Sequence, residues 1–197
     1  MTVIIDYKAG NTQSVMNVLD KIGEPYLLSC DPQDLIAAKR LILPGVGHAA
    51  PAMKQLQKQG LDQIISHFEK PFLGICLGMQ IMYEYSEEGN TACLGLIPGT
   101  IRKFIPSKSL KVPHMGWNDI DLDINQSLFK GLNERESVYF VHSYFADFEE
   151  SSTIGITEYA GRFSAAVRYK NFMGLQFHPE KSGKVGQTMI ENFIKMK

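Results

Sequence analysis

The first half of the chain alternates short, uninterrupted apolar runs with stretches of helical spacing, and few folds accommodate that order. Thr2-Val3-Ile4-Ile5-Asp6-Tyr7, Tyr26-Leu27-Leu28-Ser29, Leu41-Ile42-Leu43 and Phe72-Leu73-Gly74-Ile75 read as strands. The first, a β-branched run without polar alternation, suits a strand buried on both faces. Gly10-Asn11 punctuates the first of them. Val15, Val18, Leu19 and Ile22 then recur at helical spacing, with Gly23 where a C-cap falls. Asp31-Pro32-Gln33-Asp34 reads as an N-cap acid, a first-turn proline and a second acid at the positive end of the helix dipole. Helical patterns run from about Pro51 to Glu69 and again from Met79 to Tyr85.

After Gly89 short strands dominate: Ile101 to Ile105, Trp117 to Asp121, Val138 to Tyr144, Thr153 to Glu158, Ser164 to Tyr169 and Gly174 to Phe177. A closing helix carries Val185, Met189, Ile190, Phe193 and Ile194 on one face. A βαβα order implies a parallel sheet covered by helices, with right-handed crossovers. The expected fold is a three-layer α/β architecture: a mostly parallel central sheet flanked by helices, with added antiparallel strands. Its 197 residues suit one domain, 1–197.

Charge and cysteine usage exclude several classes of function. Twenty Lys+Arg against 21 Asp+Glu leave a net charge of −1, which argues against a nucleic-acid binder that works by neutralising phosphates. No apolar run reaches the ~18 residues of a membrane span, and the N-terminus MTVIIDYKAGN lacks the basic start and apolar core of a signal peptide. Cys30, Cys76 and Cys93 are odd in number and scattered, so they do not read as a disulfide framework and the cytoplasm is the expected compartment. His48, His67, His114 and His142 show no metal-ligand spacing with the cysteines, and neither a metal nor a cofactor is expected.

Phe72-Leu73-Gly74-Ile75-Cys76-Leu77-Gly78-Met79-Gln80 holds a cysteine in Gly-x-Cys-x-Gly between a strand and a helix. That is the nucleophile-elbow arrangement with sulfur in place of oxygen. The glycines permit a tight turn, a helix N-terminus facing the sulfur favours thiolate, and the Leu77 N–H points where an oxyanion would form. The bland reading is a small buried cysteine in a glycine-containing turn. A thiol nucleophile needs an oriented base. His178-Pro179-Glu180 supplies one, since residues i and i+2 of an extended segment project to one side. Pro44-Gly45-Val46-Gly47 lacks the Gly-Lys-Ser/Thr of a phosphate loop. It reads as a second oxyanion donor or as an ordinary exit from a strand.

Together, Pro44 to Gly47, Gly74 to Gln80 and Gln176 to Glu180 resemble the triad-type (class I) glutamine amidotransferases. Val112-Pro113-His114-Met115-Gly116-Trp117-Asn118, Tyr139-Phe140-Val141-His142-Ser143-Tyr144 and the Met79 before Gln80 narrow the resemblance. They look like the glutaminase subunits of imidazole glycerol phosphate synthases, and the likeness runs from Asp6 through Lys181. The resemblance implies Cys76 as nucleophile, His178 as acid and base, and Glu180 as its orienting group. It places the oxyanion site at Gly45, Val46, Gly47 and Leu77. It assigns glutamine binding to Gly47, Gln80, Glu88, Ser143 and Tyr144; without it, Glu88 would read as an exposed acid.

The same resemblance turns Asn11, Trp117, Tyr139 and Lys181 toward a (β/α)8-barrel cyclase subunit, forming a heterodimer. The substrate it implies is L-glutamine, with no nucleic acid and no membrane involved. The barrel would receive the ammonia, because the glutaminase fold uses the whole of the 197 residues. A glutaminase for another synthase, of anthranilate or purine type, and a non-catalytic binding module remain as alternatives.

Overall fold

Alternation along the parallel strands sends side chains into two separately covered cores. The structure, a computed structural model, describes residues 1–8, 11–107 and 110–196; Gly10, half of the expected break after the first strand, lies outside them. Five strands form the first half: β1 (Thr2–Ile5), β2 (Tyr26–Ser29), β3 (Arg40–Gly45), β4 (Phe72–Cys76) and β5 (Tyr83–Ser86). With them come the helices α1 (Thr12–Ile22), α2 (Pro32–Ala37), α3 (Ala49–Lys58), α4 (Leu61–Ser66) and α5 (Leu77–Gln80). The second half adds β6 (Thr91–Ala92), β7 (Ile97–Lys103), β8 (His114–Leu122), β9 (Arg135–His142) and β10 (Tyr144–Asp147). It ends with β11 (Thr153–Glu158), β12 (Arg162–Tyr169), β13 (Phe172–Leu175) and α6 (Gly183–Ile194).

Val3, Ile5, Leu41 and Leu43 pack with Leu35, Leu56 and Ile65, so α2, α3 and α4 cover one face. Ile4, Ile42, Leu73 and Ile75 pack with Val15, Leu19, Met189 and Phe193, so α1 and α6 cover the other. The parallel core runs β2-β1-β3-β4-β13. An antiparallel extension continues through β12, β10 and β7, while β11 leads from β12 to the β8–β9 pair. This is the α/β arrangement that the sequence predicts. Among the described residues no helix is long and apolar enough to cross a membrane.

The local signals hold where the chain decides alone. Asp31 caps α2 by accepting the Gln33 N–H at 2.8 Å, and Gly23 ends α1 in the left-handed region at φ 73. Three expectations need correction. The helical stretch from Pro51 to Glu69 is broken at Gly60, at φ 66, into α3 and α4. The strand expected over Val138 to Tyr144 divides at Ser143 into β9 and β10. The helix expected from Met79 to Tyr85 is the single turn α5 followed by β5. The carbonyls of Ile81, Met82 and Tyr83 accept the N–H groups of Leu94, Leu96 and Gly95, and Tyr83–Ser86 pairs with β7 instead of continuing the helix.

Candidate active site

Cys76 ends β4 at φ 53, ψ −111, a backbone region that costs a side-chain-bearing residue roughly 1–3 kcal/mol. The surroundings impose it. Gly45 pairs in register with Cys76, and a Cβ on Gly78 would lie 1.9 Å from the Leu43 carbonyl oxygen. Only glycine lets the turn press so closely on β3. Leu77 opens α5, where a first-turn N–H has no acceptor within the helix. With four residues, α5 offers one turn of N–H groups rather than the longer dipole expected of it. The Cys76 thiol has the Val141 carbonyl at 3.9 Å and Gln176 Nε2 at 4.0 Å.

His178 and Glu180 stand beside it. His178 Nδ1 lies 2.7 Å from Glu180 Oε1, with the side chains 3% and 2% exposed. Residues Pro179–Lys181 form a 3-10 turn, so the pair meets across a turn and not along the extended segment that the sequence suggests. The turn is anchored: the His178 N–H donates to Tyr139 O at 2.9 Å. Ser182 Oγ donates to His178 O at 2.7 Å and accepts the Tyr139 N–H at 3.0 Å. His178 Nε2 is buried without a hydrogen-bond partner among the described residues. Burial opposes charge on this imidazole, but the Cys76 sulfur and the Glu180 carboxylate outweigh it and hold its pKa up at about 10.

A cavity of about 380 Å3 collects the predicted residues: Cys76, His178, Val46, Gly47, Leu77, Gln80, Glu88, Ser143 and Tyr144 all line it. Gly45 does not; it packs beneath the elbow. Glu88 is buried and not the exposed acid of the bland reading. Its Oε2 accepts the Ala49 N–H at 2.8 Å and its Oε1 lies 3.0 Å from His48 Nδ1, which leaves a carboxylate facing the cavity. Gln80 Nε2 donates to Tyr144 O at 2.9 Å and to Gln176 Oε1 at 3.0 Å. Gln176, Ser182 and the buried His114 and His142 carry no site role in the sequence reading. Gln176 had a signal, a lone amide within the apolar run Gly174 to Phe177, two residues before His178. A larger cavity of about 680 Å3 lies at the other end of the parallel strands, beside Lys70, Asn171 and Lys195. Among the described residues neither a cysteine nor a histidine lines it, and ligands of open α/β sheets bind at the carboxyl ends, where Cys76 sits.

Of the four residues expected to face a partner, three are contiguous. Trp117 opposes Tyr139 in register with ring centroids 6.1 Å apart, and Lys181 Nζ lies 5.9 Å from the Tyr139 ring centre. Trp117 is 58% exposed. Asn11 is occupied as the cap of α1, accepting the Ser14 N–H at 3.4 Å and donating to Ser14 Oγ at 2.7 Å.

Known proteins give the same class. The chain belongs to the glutamine amidotransferase class-I family, whose model matches residues 3–196. One crystal structure of a glutamine amidotransferase superposes with a TM-score of 0.75 at 15% identity, covering 98% of this chain and 97% of that one. The crystal structure of a putative GMP synthase subunit from Thermoplasma acidophilum gives 0.74 at 20% identity, covering 98% and 92%. At those identities the likeness shows the fold alone.

The branch within the family comes from closer sequences. The chain is 45% identical to imidazole glycerol phosphate synthase subunit HisH of Bacteroides fragilis, over 98% of both chains. It is 45% identical to the HisH subunit of Streptococcus gordonii, over 98% of this chain and 95% of that one. With HisH 2 of Legionella pneumophila it shares 42% over 100% and 98%.

Proposed function

We propose that this chain, as one domain over residues 1–197, is the glutaminase subunit of an imidazole glycerol phosphate synthase. The observation that carries the reading is one cavity shared by a strained cysteine and a buried imidazole whose far nitrogen is bonded to a carboxylate. The family membership and the HisH relatives support it.

In this reading the Glu88 carboxylate receives the α-ammonium of glutamine, and Gln80, Ser143 and Tyr144 line its path to Cys76. The Cys76 thiolate attacks the side-chain carbonyl carbon. Negative charge develops on the carbonyl oxygen, where the N–H groups of Leu77 and the Val46–Gly47 turn stabilise it. His178 Nε2 gives its proton to the departing nitrogen; the C–N bond breaks, ammonia leaves and a γ-glutamyl thioester remains. His178 then takes a proton from water, whose oxygen attacks the thioester, and glutamate and the thiolate are restored. Glu180 keeps the imidazole oriented throughout.

The ammonia passes to a (β/α)8-barrel cyclase subunit in a cytoplasmic heterodimer. There it converts N′-[(5′-phosphoribulosyl)formimino]-5-aminoimidazole-4-carboxamide ribonucleotide to imidazole glycerol phosphate and an aminoimidazole carboxamide ribonucleotide, within histidine biosynthesis. No cofactor takes part. The test compares nitrogen sources in the assembled pair. With Cys76→Ser, synthesis from glutamine is lost while synthesis from ammonium salts survives. Loss of both, or retention of both, overturns the assignment of Cys76.

A further inference from the structure

Two buried histidines, His142 in the wall of the cavity and His114 behind it, have no part in this chemistry. His114 and His142 oppose each other across β8 and β9, with His114 Nδ1 2.9 Å from His142 Nε2. The groups at the two ends have unambiguous roles. Tyr144 O, 2.7 Å from His142 Nδ1, can only accept. Asn118 Nδ2, 3.2 Å from His114 Nε2, can only donate. Its amide cannot be turned over: Asn118 Oδ1 accepts the Asp119 N–H at 2.8 Å, and Nδ2 also donates to the Glu158 carbonyl at 3.1 Å.

The proton inventory follows. Tyr144 O requires a hydrogen on His142 Nδ1, and Asn118 requires a lone pair on His114 Nε2. The hydrogen between the rings therefore sits on His114 Nδ1, and His142 Nε2 accepts it. Both imidazoles are neutral with Nδ1 protonated, and one further proton would set N–H against N–H. Burial acts in the same direction, holding His114 at about 4 and His142 at about 3. The His114 ring is stacked on Tyr159 at 3.9 Å and on Phe140 at 4.6 Å. From Tyr144 O the bonds continue through Gln80 to Gln176, next to Cys76.

We infer that His114 and His142 are positioning residues of the glutamine site, a strut of two neutral imidazoles that holds the Tyr144 carbonyl, and through it Gln80, at the cavity. The inference rests on the glutaminase reading of that cavity.

The experiment has a spectroscopic arm and a kinetic arm. Nitrogen-15 NMR of the imidazoles at neutral pH is expected to show both rings protonated at Nδ1 and bare at Nε2. A cationic ring, or the opposite tautomer, overturns the strut. Asn118→Asp, at a half-buried position, turns the end donor into an acceptor and is expected to place a hydrogen on His114 Nε2; an unchanged spectrum overturns it as well.

In the kinetic arm His114→Phe keeps the stacked ring without a donor, and His114→Asn keeps a donor at the Nδ1 position without the ring. The KM for glutamine is expected to rise about tenfold in the first and less than about threefold in the second, the worth of one hydrogen bond. The kcat should stay within about threefold in both. Equal KM values, or the reverse order, show that packing alone matters and overturn the inference. Circular dichroism checks the fold of each variant, and if His114→Phe does not fold, Asn118→Asp takes its place, with a KM equal to that of the unaltered chain overturning the inference. If the unaltered chain hydrolyses no glutamine with its partner, the glutaminase reading fails and the positioning role with it, while the NMR arm still decides the tautomers.

Discussion

The Tyr139 carbonyl accepts the His178 N–H at 2.9 Å, so a residue of the aromatic surface is bonded through its backbone to the candidate general base. Its ring, beside Trp117 and Lys181, faces outward. Trp117 and Tyr139 thus lie on the pair of strands that bears this bond.

Trp117→Ala tests that surface as a partner interface. An exposed tryptophan contributes little to the fold of the free chain but is a frequent anchor of binding energy. Association with the proposed barrel subunit is expected to weaken by about 2 kcal/mol, roughly thirtyfold in Kd, measured by titration calorimetry. The melting temperature of the isolated chain should move by less than about 2 °C.

Strain at Cys76 predicts an inverted order of stability. At an unstrained site alanine is the more stable replacement, because glycine loses more backbone entropy. At φ 53 the reverse should hold, with Cys76→Gly more stable than Cys76→Ala by about 1 kcal/mol. Urea unfolding of the two variants checks this, and both should lack glutamine hydrolysis.

Glu180→Gln removes the carboxylate that orients His178 Nδ1. Glutamine hydrolysis should fall roughly 10²–10⁴-fold, the range for a positioned acid–base group. The imidazole loses one of the two partners that raise its pKa, so its titration should move down in pH, readable by proton NMR of the ring.

Acid should weaken the fold through the histidine pair. Burial holds His114 at about 4 and His142 at about 3, below the ~6.5 of an unfolded histidine. Between those values the unfolded chain binds more protons than the folded one, so stability is present above ~6.5 and declines as pH falls toward 4. The limiting slope is about 1.4 kcal/mol per pH unit for each histidine. His178 works in the opposite window: raised to about 10, it contributes stability that is present below ~6.5 and is lost as pH rises through 10. Denaturant unfolding between pH 7 and pH 4 should show the acid limb, and His114→Phe should flatten it.

The features legible in the amino-acid order are those that neighbours along the chain decide. Apolar runs, the Asp31 cap and Gly23 mark β1 to β4, α1 and α2, because runs and caps are patterns of a few neighbouring residues; β2, at the edge of the sheet, is only half-buried. The elbow is legible for the same reason, since Gly74, Cys76 and Gly78 meet in one turn. His178 and Glu180, two positions apart, could be paired before any fold was known, although the turn that joins them could not. The likeness to a known family drew Gln80, Glu88, Ser143 and Tyr144 into the site.

Tertiary structure alone decided the rest. Met79 to Tyr85 has a helical pattern, yet the distant residues 94–96 bond its carbonyls and β7 pairs with Tyr83–Ser86, and the helix is a single turn. Glu88 lies in an acidic, polar stretch and is buried only because the start of α3 offers it the Ala49 N–H. His114 and His142 are 28 positions apart and meet because β8 and β9 pair in one particular register. Cross-strand register and long-range hydrogen bonding depend on how distant segments settle against each other, and no local pattern encodes that distance.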